Sequence, residues 1–327
     1  MGDDTELTSA SLSGGKLTEL DVARYEASLT RTPDKVEVRA ALVGFYSLHR
    51  GTAEANELMF RHVTWFIENR PELRLGPLGM ILEPTGPEAF ADAKAAWLRV
   101  LEARADEPAV LRSASDFFRA CDPNYAMQLL RRGLTLEPDG SDWHVELARL
   151  ASQEARLAYK RDSPAEGEAL AREAGAEFDL AIAKERSPAR RCSLMIDAAQ
   201  AAVVGLDFER AKELAETVLA RAEDFQRTWI YGNAIHWCHV VLGHVALAHN
   251  DVEAACAHLE AASATPGGPG LNSSGPDQEL AVKLLARGRR NKVVAYAEAC
   301  KRFYGGGLGL LGAAYVTSGA PVLRIVK

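Results

Sequence analysis

The sequence is poor in aromatic residues and has almost no stretches in which β-branched residues alternate with polar ones. Aromatic side chains make up only 7% of the 327 residues, whereas alanine is frequent. β-Strands are enriched in β-branched and aromatic residues, and alanine has the highest intrinsic helix propensity. The composition therefore predicts an all-α fold.

Cysteine is also scarce, and an apolar leader is missing. The five cysteines are odd in number, lie far apart and form no C-x-x-C pair. A disulfide framework is therefore not expected, and the pattern is typical of a protein of the reducing cytoplasm. The first residues are polar and acidic without an apolar core, so they predict a flexible polar leader over residues 1–16 rather than a secretory signal.

The chain has no excess of positive charge. Its net charge is -7, its charged fraction is 25% and its hydrophobic fraction is 47%. These values are ordinary for a soluble globular protein. Because proteins that bind nucleic acids usually carry a basic surface, we expect no nucleic-acid partner.

A pattern of small and large residues recurs along the chain. In A-x3-F-x2-A, two small residues flank a large one at helical spacing. Small residues allow two antiparallel helices to approach closely, and the large residue fills the gap beside them. Six versions of the pattern occur in order, at Ala55-Met59-His62, Ala93-Trp97-Val100, Ala126-Leu130-Gly133, Ala174-Phe178-Ala181, Ala211-Ala215-Val218 and Ala255-Leu259-Ala262.

This pattern resembles the second helix of a tetratricopeptide repeat. Leu242-Gly243 matches the Leu-Gly of the first helix, but Ala246 stands where the family usually has an aromatic residue, so the repeat is degenerate. The interval from Ala93 to Ala126 is 33 residues, close to the family period of about 34, and the other intervals are longer. The resemblance implies an α-solenoid of degenerate helix pairs over residues 17–304.

Three segments depart from the helical rhythm. Glycine and proline interrupt residues 71–87 and 265–276, and the apolar residues of the first segment predict that it packs back on the helices. Several bacterial tetratricopeptide proteins are similar across the second loop and the helical pair after it, which implies a fold and no chemistry.

Residues 305–327 form a glycine-rich apolar tail. Residues 303–323 carry no charge, a length that just suffices to span a bilayer. Because glycine, proline and polar residues dilute it, we expect a packed or loosely ordered tail, with a membrane anchor as the alternative.

Five of the eight histidines lie between residues 236 and 258. His236 and His239 share a helix face, and Cys256 and His258 lie on the following helix. A zinc site needs four ligands in a tetrahedron, and this spacing fits no standard zinc pattern. His239 falls at the repeat's buried aromatic slot, and Cys256 and His258 fall beside buried slots. We therefore predict a core histidine at 239 and no metal. The alternative is a metal-binding protein or metalloenzyme built on His236, His239 and Cys256.

No catalytic or cofactor motif stands out. Gly307, Gly309 and Gly312 match G-x-G-x-x-G, but a helix rather than a strand precedes them, so the match is attributed to chance. We predict no cofactor and no catalytic residue, and we do not expect an enzyme.

The expected function is a non-catalytic scaffold that binds a protein or peptide partner along the concave face of the solenoid. Leu242, Gly243 and Ala246 are expected to pack against the partner helix. In the resembling family, first-helix slots often contact the ligand. The family's carboxylate clamp needs Lys and Asn at two slots that hold Val and His here, so a chaperone-tail ligand is not expected. The predicted partner-binding residues are Trp237, Val240, His244 and Leu247.

Overall fold

A computed structural model describes residues 2–49, 52–74 and 87–305 of the chain. The described residues form sixteen α-helices and contain no β-strand, which confirms the predicted all-α fold class. The helices are α1 Gly2–Gly14, α2 Glu19–Leu29, α3 Val36–Leu48, α4 Ala53–Asn69, α5 Pro87–Ala103, α6 Pro108–Phe118, α7 Pro123–Leu136, α8 Ser141–Lys160, α9 Pro164–Lys184, α10 Pro188–Val204, α11 Phe208–Ala220, α12 Ile230–Ala248, α13 Val252–Ser263, α14 Pro269–Ser274, α15 Glu279–Ala286 and α16 Arg290–Cys300.

The helices group into two compact units, which are divided between Trp143 and His144 in the first turn of α8. The sequence predicts a single array over residues 17–304. Hydrophobic periodicity indicates where the helices lie but not how they group, so it does not predict this division. Within each unit the helices contact mainly their neighbours in the sequence. This is the arrangement of an α-solenoid, in which each pair buries its apolar face against the next.

Proline and short polar side chains set the helix starts. Proline occupies the first position of α5, α6, α7, α9 and α10, where a missing N–H needs no partner. The side chains of Ser187, Asp207 and Asp251 each accept a hydrogen bond from the backbone N–H three residues on, at the starts of α10, α11 and α13. These bonds satisfy N–H groups that the helices themselves leave unpaired.

The recurring small-large-small pattern lies in the cores of the helix pairs. Phe178 of α9 is only 1% exposed and packs against Ala148, Ala198 and Ala201 from α8 and α10. The other pattern positions are buried too, except Val100, which is half-buried. The helix-face register predicted from the sequence pattern is thereby confirmed.

The predicted leader is helical in the structure. α1 packs against α3 with the two backbones in contact. A β-carbon on Gly14 would lie 2.7 Å from the backbone nitrogen of Phe45, and one on Gly44 would lie 2.8 Å from the carbonyl carbon of Ser11. Glycine on both helices permits this approach, so the polar sequence orders against α3 although it lacks an apolar face.

The loop over residues 265–276 is packed on α12. Its Thr265 hydroxyl donates a 2.8 Å hydrogen bond to the carbonyl of Gly232, and Leu271, in α14, is buried. Most of the loop predicted at 71–87, the G-x-G-x-x-G match and nearly all of the tail at 305–327 lie outside the described residues. In the part that is described, no helix combines the length and the apolar character needed to cross a membrane.

Candidate functional site

Four helices of the C-terminal unit end in the same left-handed cap. They are the first helices of four successive pairs, namely α8, α10, α12 and α15. After each helix, one residue has a φ between 60° and 78°, and the next N–H donates back to a carbonyl five residues earlier, as in a Schellman motif. The left-handed residues are Asp162, Leu206, Asn250 and Gly288.

These four helices line one pocket of about 390 Å³. This volume lies within the range of ligand-binding pockets, about 300–1,000 Å³, which are usually apolar with a few polar groups. α10 and α12 supply an apolar wall that consists of Val203, Val204, Trp237, Val240 and Val241. The pocket therefore presents apolar surface where first helices of neighbouring pairs meet.

A network of charged groups borders the apolar wall. Glu279 of α15 accepts a 2.6 Å hydrogen bond from Arg156 of α8 and a 2.8 Å hydrogen bond from Lys283. The Lys283 ammonium also lies 3.5 Å from Nδ1 of His244. Lys160, at the end of α8, lines the same pocket. The pocket thus combines an apolar wall with a rim rich in cations.

The rim keeps His244 neutral and Glu279 charged. Burial and then the charge of Lys283 lower the pKa of His244 to about 4. Burial favours the neutral form of Glu279, but the hydrogen bond from Lys283 and the charges of Lys283 and Arg156 outweigh it and lower the pKa of that carboxyl. Near neutral pH, Nδ1 of His244 therefore accepts from Lys283, and Glu279 remains a carboxylate.

Leu206 is the one apolar residue among the four left-handed caps. The other three caps carry Asp, Asn and Gly, the residue types that adopt this conformation most readily. The side chain of Leu206 is 60% exposed and lines the pocket. A branched apolar residue therefore occupies a strained backbone position and contributes little to the core.

The structure brings three of the four predicted partner-binding residues to this pocket. Trp237, Val240 and His244 line it, although Val240 is itself buried. Leu247 does not line the pocket, and it lies with Val240 in a core cluster that includes residues of α13, α15 and α16. Sequence reasoning missed Arg156, Lys160 and Leu206. The regular 44-residue spacing of Asp162, Leu206 and Asn250, with Leu as the middle member, is the signal that could have revealed Leu206.

A second, polar pocket continues the first along α8 and α10. The two pockets share Arg156 and Gln200. The second has a volume of about 260 Å³, and an ion pair of 2.6 Å between Arg149 and Asp197 lies within it. Ser152 and Gln153 also line it. The two pockets form one groove with an apolar end and a polar end.

His236 is a structural residue of the core. It is fully buried, its Nε2 accepts a 3.0 Å hydrogen bond from the N–H of Asp277, and its Nδ1 donates a 3.0 Å hydrogen bond to the carbonyl of Ala262. Burial lowers the pKa of His236 to about 4. With both ring nitrogens engaged, His236 has no lone pair for a metal.

The expectation of a core histidine at 239 is wrong, since His239 is half-buried and His236 takes the core position. Nδ1 of His239 lies 3.2 Å from Nδ1 of His258 on α13. Cys256 is buried in the core cluster rather than beside it, because α15 and α16 cover that face of α13. Within the described ranges, no group of three or more His, Cys, Asp or Glu side chains is placed to hold a metal ion.

Comparison with known proteins gives distant likenesses only. No protein-family model and no curated protein matches the sequence. Among solved structures, the chain is similar to PilW, a widely conserved type IV pilus biogenesis factor, at 13% identity and a TM-score of 0.40, over 66% of this chain and 86% of PilW. It is similar to PilF of Pseudomonas aeruginosa at 15% identity and a TM-score of 0.39, over 76% of this chain and 95% of PilF. It is also similar to the human IFIT1 dimer with PPP-AAAA at 17% identity and a TM-score of 0.44, over 87% of this chain and 68% of that one.

Proposed function

We propose that the protein is a non-catalytic scaffold that binds a peptide, or an extended segment of a partner protein, in the groove lined by α8, α10, α12 and α15. The apolar end presents aliphatic side chains and Trp237 beside ion pairs, His244 and Asp277, a surface suited to recognition of an extended chain. Large aromatic residues in concave surfaces are frequent anchors of protein partners. The five cysteines are all free, which agrees with a cytoplasmic location.

Leu206 is the observation that carries this proposal. A left-handed backbone costs about 1–2 kcal/mol in a residue with a β-carbon, and Asn lowers that cost. The exposed Leu206 side chain recovers little of the cost through burial in the free protein. Full burial of a leucine side chain contributes about 1.5–3 kcal/mol, so burial of the exposed part of Leu206 by a ligand is comparable with the strain. A leucine at this cap is thus unfavourable for the free protein and favourable for a complex.

The proposal is tested with a random peptide library displayed on phage and selected against the full-length chain. Affinities of the selected peptides are then measured for the wild type and for Leu206→Asn. Asn relieves the strained cap, so we expect this variant to be more stable by about 1 kcal/mol and to bind about tenfold more weakly. Leu180→Asn, which removes a leucine that is 46% exposed on α9, is the matched control.

A gain in stability together with a loss of affinity cannot come from misfolding, so the two readouts separate a binding role from a structural one. Trp237→Ala is the second variant, with the exposed Trp229→Ala as its control at the start of α12. Selected peptides that bind Leu206→Asn and Trp237→Ala as tightly as the wild type would show that this pocket is not the binding site.

A further inference from the structure

We propose that the natural ligand of this groove is an acidic peptide segment in which Asp or Glu residues flank one or two large apolar side chains. This inference rests on the proposed function and adds the chemical class of its ligand. The apolar side chain enters the wall formed by Trp237, Val203 and Val204 beside Leu206, and the carboxylates meet the cations of the rim.

The rim has more cations than carboxylates to neutralise them. Glu279 is shared by Arg156 and Lys283, with distances of 2.6 and 2.8 Å. One carboxylate thus serves two cations, and both cations are about half-exposed. A carboxylate of a ligand completes the pairing that Glu279 leaves incomplete.

Asp277 adds a second carboxylate to this balance, and His244 adds no charge. The Asp277 carboxylate lines the pocket and accepts a 2.9 Å hydrogen bond from the N–H of Leu280 at the start of α15. His244 is only 8% exposed and adds no positive charge near neutral pH. The rim therefore holds three cations, Arg156, Lys160 and Lys283, against two carboxylates, Glu279 and Asp277.

Lys160 is the cation best placed for a ligand. It is exposed at the end of α8, it lines the pocket, and in the described part of the chain it forms no ion pair. Its neighbour Tyr159 also lines the pocket, but the Tyr159 hydroxyl is buried and does not face a ligand. An exposed ammonium donates to carboxylate oxygen, so Lys160 suits an anionic group.

The charge of the rim is opposite to that of the whole chain. The chain carries a net charge of -7, so an acidic ligand is repelled by most of the surface and attracted to this groove. Local complementarity of this kind selects a partner and its position more than it raises affinity. The apolar wall then supplies the binding energy that the exposed charges do not.

The test uses three fluorescently labelled hexapeptides with blocked termini, so that terminal charges play no part. All contain two central leucines, which are flanked by Asp and Glu, by Asn and Gln, or by Lys and Arg. Fluorescence polarisation with the full-length protein gives the affinities. We expect the acidic peptide to bind about tenfold more tightly than the neutral one, and the basic peptide to bind most weakly. Added salt should reduce the advantage of the acidic peptide.

Lys160→Glu tests whether Lys160 is the cation that binds the carboxylates of the ligand. We expect it to weaken binding of the acidic peptide about tenfold and to leave the neutral peptide within about twofold. Lys212→Glu makes the same change on α11, outside the lining of the groove, and should leave both affinities unchanged. This control separates a local contact from the effect of total charge.

The outcomes distinguish the two proposals. Equal affinities for all three peptides, or a preference for the basic one, would overturn the acidic ligand, while binding that still depends on Leu206 would retain the proposed function. Displacement of the acidic peptide by an equal concentration of single-stranded RNA would also overturn the acidic-peptide proposal, because the cations of the rim would then bind phosphate groups. If neither these peptides nor library peptides bind in a Leu206-dependent manner, both proposals fail.

Discussion

Gly243 in α12 lies against the side chain of Leu280 in α15, so that a β-carbon on residue 243 would lie 3.3 Å from Cδ1 of Leu280 and overlap with Cδ2. The sequence placed Gly243 against the partner helix of its own pair, α13. The contact instead reaches the next pair, because Gly243 faces the helix that follows in the stack, while Leu242 packs with residues of α10 and α11. Gly243 therefore sets how closely α15 approaches α12.

We predict that Gly243→Ala destabilises the protein by about 1–3 kcal/mol through overpacking, because Leu280 is fully buried and has no free space to move into. Urea denaturation measures the free energy of unfolding. Gly175→Ala is the control, since a β-carbon there has no neighbour within 4 Å in helix α9. It should be neutral or stabilising by up to about 1 kcal/mol. Equal effects of the two changes would contradict the close contact.

Phe178 tests the packing of the recurring pattern. Its side chain is buried between α8, α9 and α10, so Phe178→Ala is expected to cost about 3–5 kcal/mol. Leu180→Ala on the same helix removes an exposed side chain and should change stability by less than about 0.5 kcal/mol. The midpoints of thermal unfolding would reveal the contrast, and an unchanged midpoint for Phe178→Ala would refute the register.

Two buried histidines predict a specific dependence of stability on pH. Burial lowers the pKa of both His236 and His244 to about 4. A histidine in an unfolded chain titrates near about 6.5, so between these values the unfolded state binds more protons. The free energy of unfolding therefore falls as the pH decreases through this window, by about 2 kcal/mol per histidine between about pH 7 and about pH 5.

His236→Gln should remove the contribution of His236 from that fall, about 2 kcal/mol, because glutamine does not titrate. The exposed His249→Gln, at the end of α12, is the control and should leave the slope unchanged. The titration of Glu26 does not contribute to the pH dependence in this window. Despite burial, hydrogen bonds from His62 and Tyr46 lower the pKa of Glu26 from 4.5 to about 2, so its contribution is lost only below that window. A pH dependence that is identical in wild type and His236→Gln would refute the buried neutral imidazole.

The prediction of no metal remains to be measured. Purified protein incubated with zinc and then desalted should carry well under one equivalent by mass spectrometry of the metal. A chelator should not shift the melting temperature, because both nitrogens of His236 are already bonded within the fold. Stoichiometric zinc that disappears in His236→Gln with Cys256→Ser, or in His239→Ala with His258→Ala, would reverse this conclusion.

Local sequence patterns predict the helix pairs. The positions of side chains that depend on contacts between pairs cannot be predicted from such patterns. The spacing of Ala174 and Phe178 fixes one helix face, so their burial followed from the sequence alone. The repeat pattern predicts a core position for His239 and not for His236, because it does not include the N–H of Asp277, which reaches His236 from beyond the next helix. The prediction that Leu247 lies in the groove assumes that one helix stripe faces the same environment along its whole length.

The cations of the groove could not be found in this way. Arg156 and Glu279 are 123 residues apart, and no periodicity within one helix indicates that they meet. Leu206 was missed for another reason. Leu206 lies between two helices, where hydrophobic periodicity gives no information. Only its left-handed backbone conformation shows that leucine is unusual at this position.

The ion pair between Arg156 and Glu279 joins α8 to α15. Ligand affinity therefore depends on whether α15 and α16, the last described helices, are folded. α15 and α16 contact mainly α13 and α12, so they can fray while the earlier pairs stay folded. Fraying removes Glu279 and Lys283 and opens one side of the groove. A ligand that binds only the closed groove therefore holds α15 and α16 in place, by mass action. Amide hydrogen exchange in these two helices should slow on saturation with ligand, although the ligand touches only one of them.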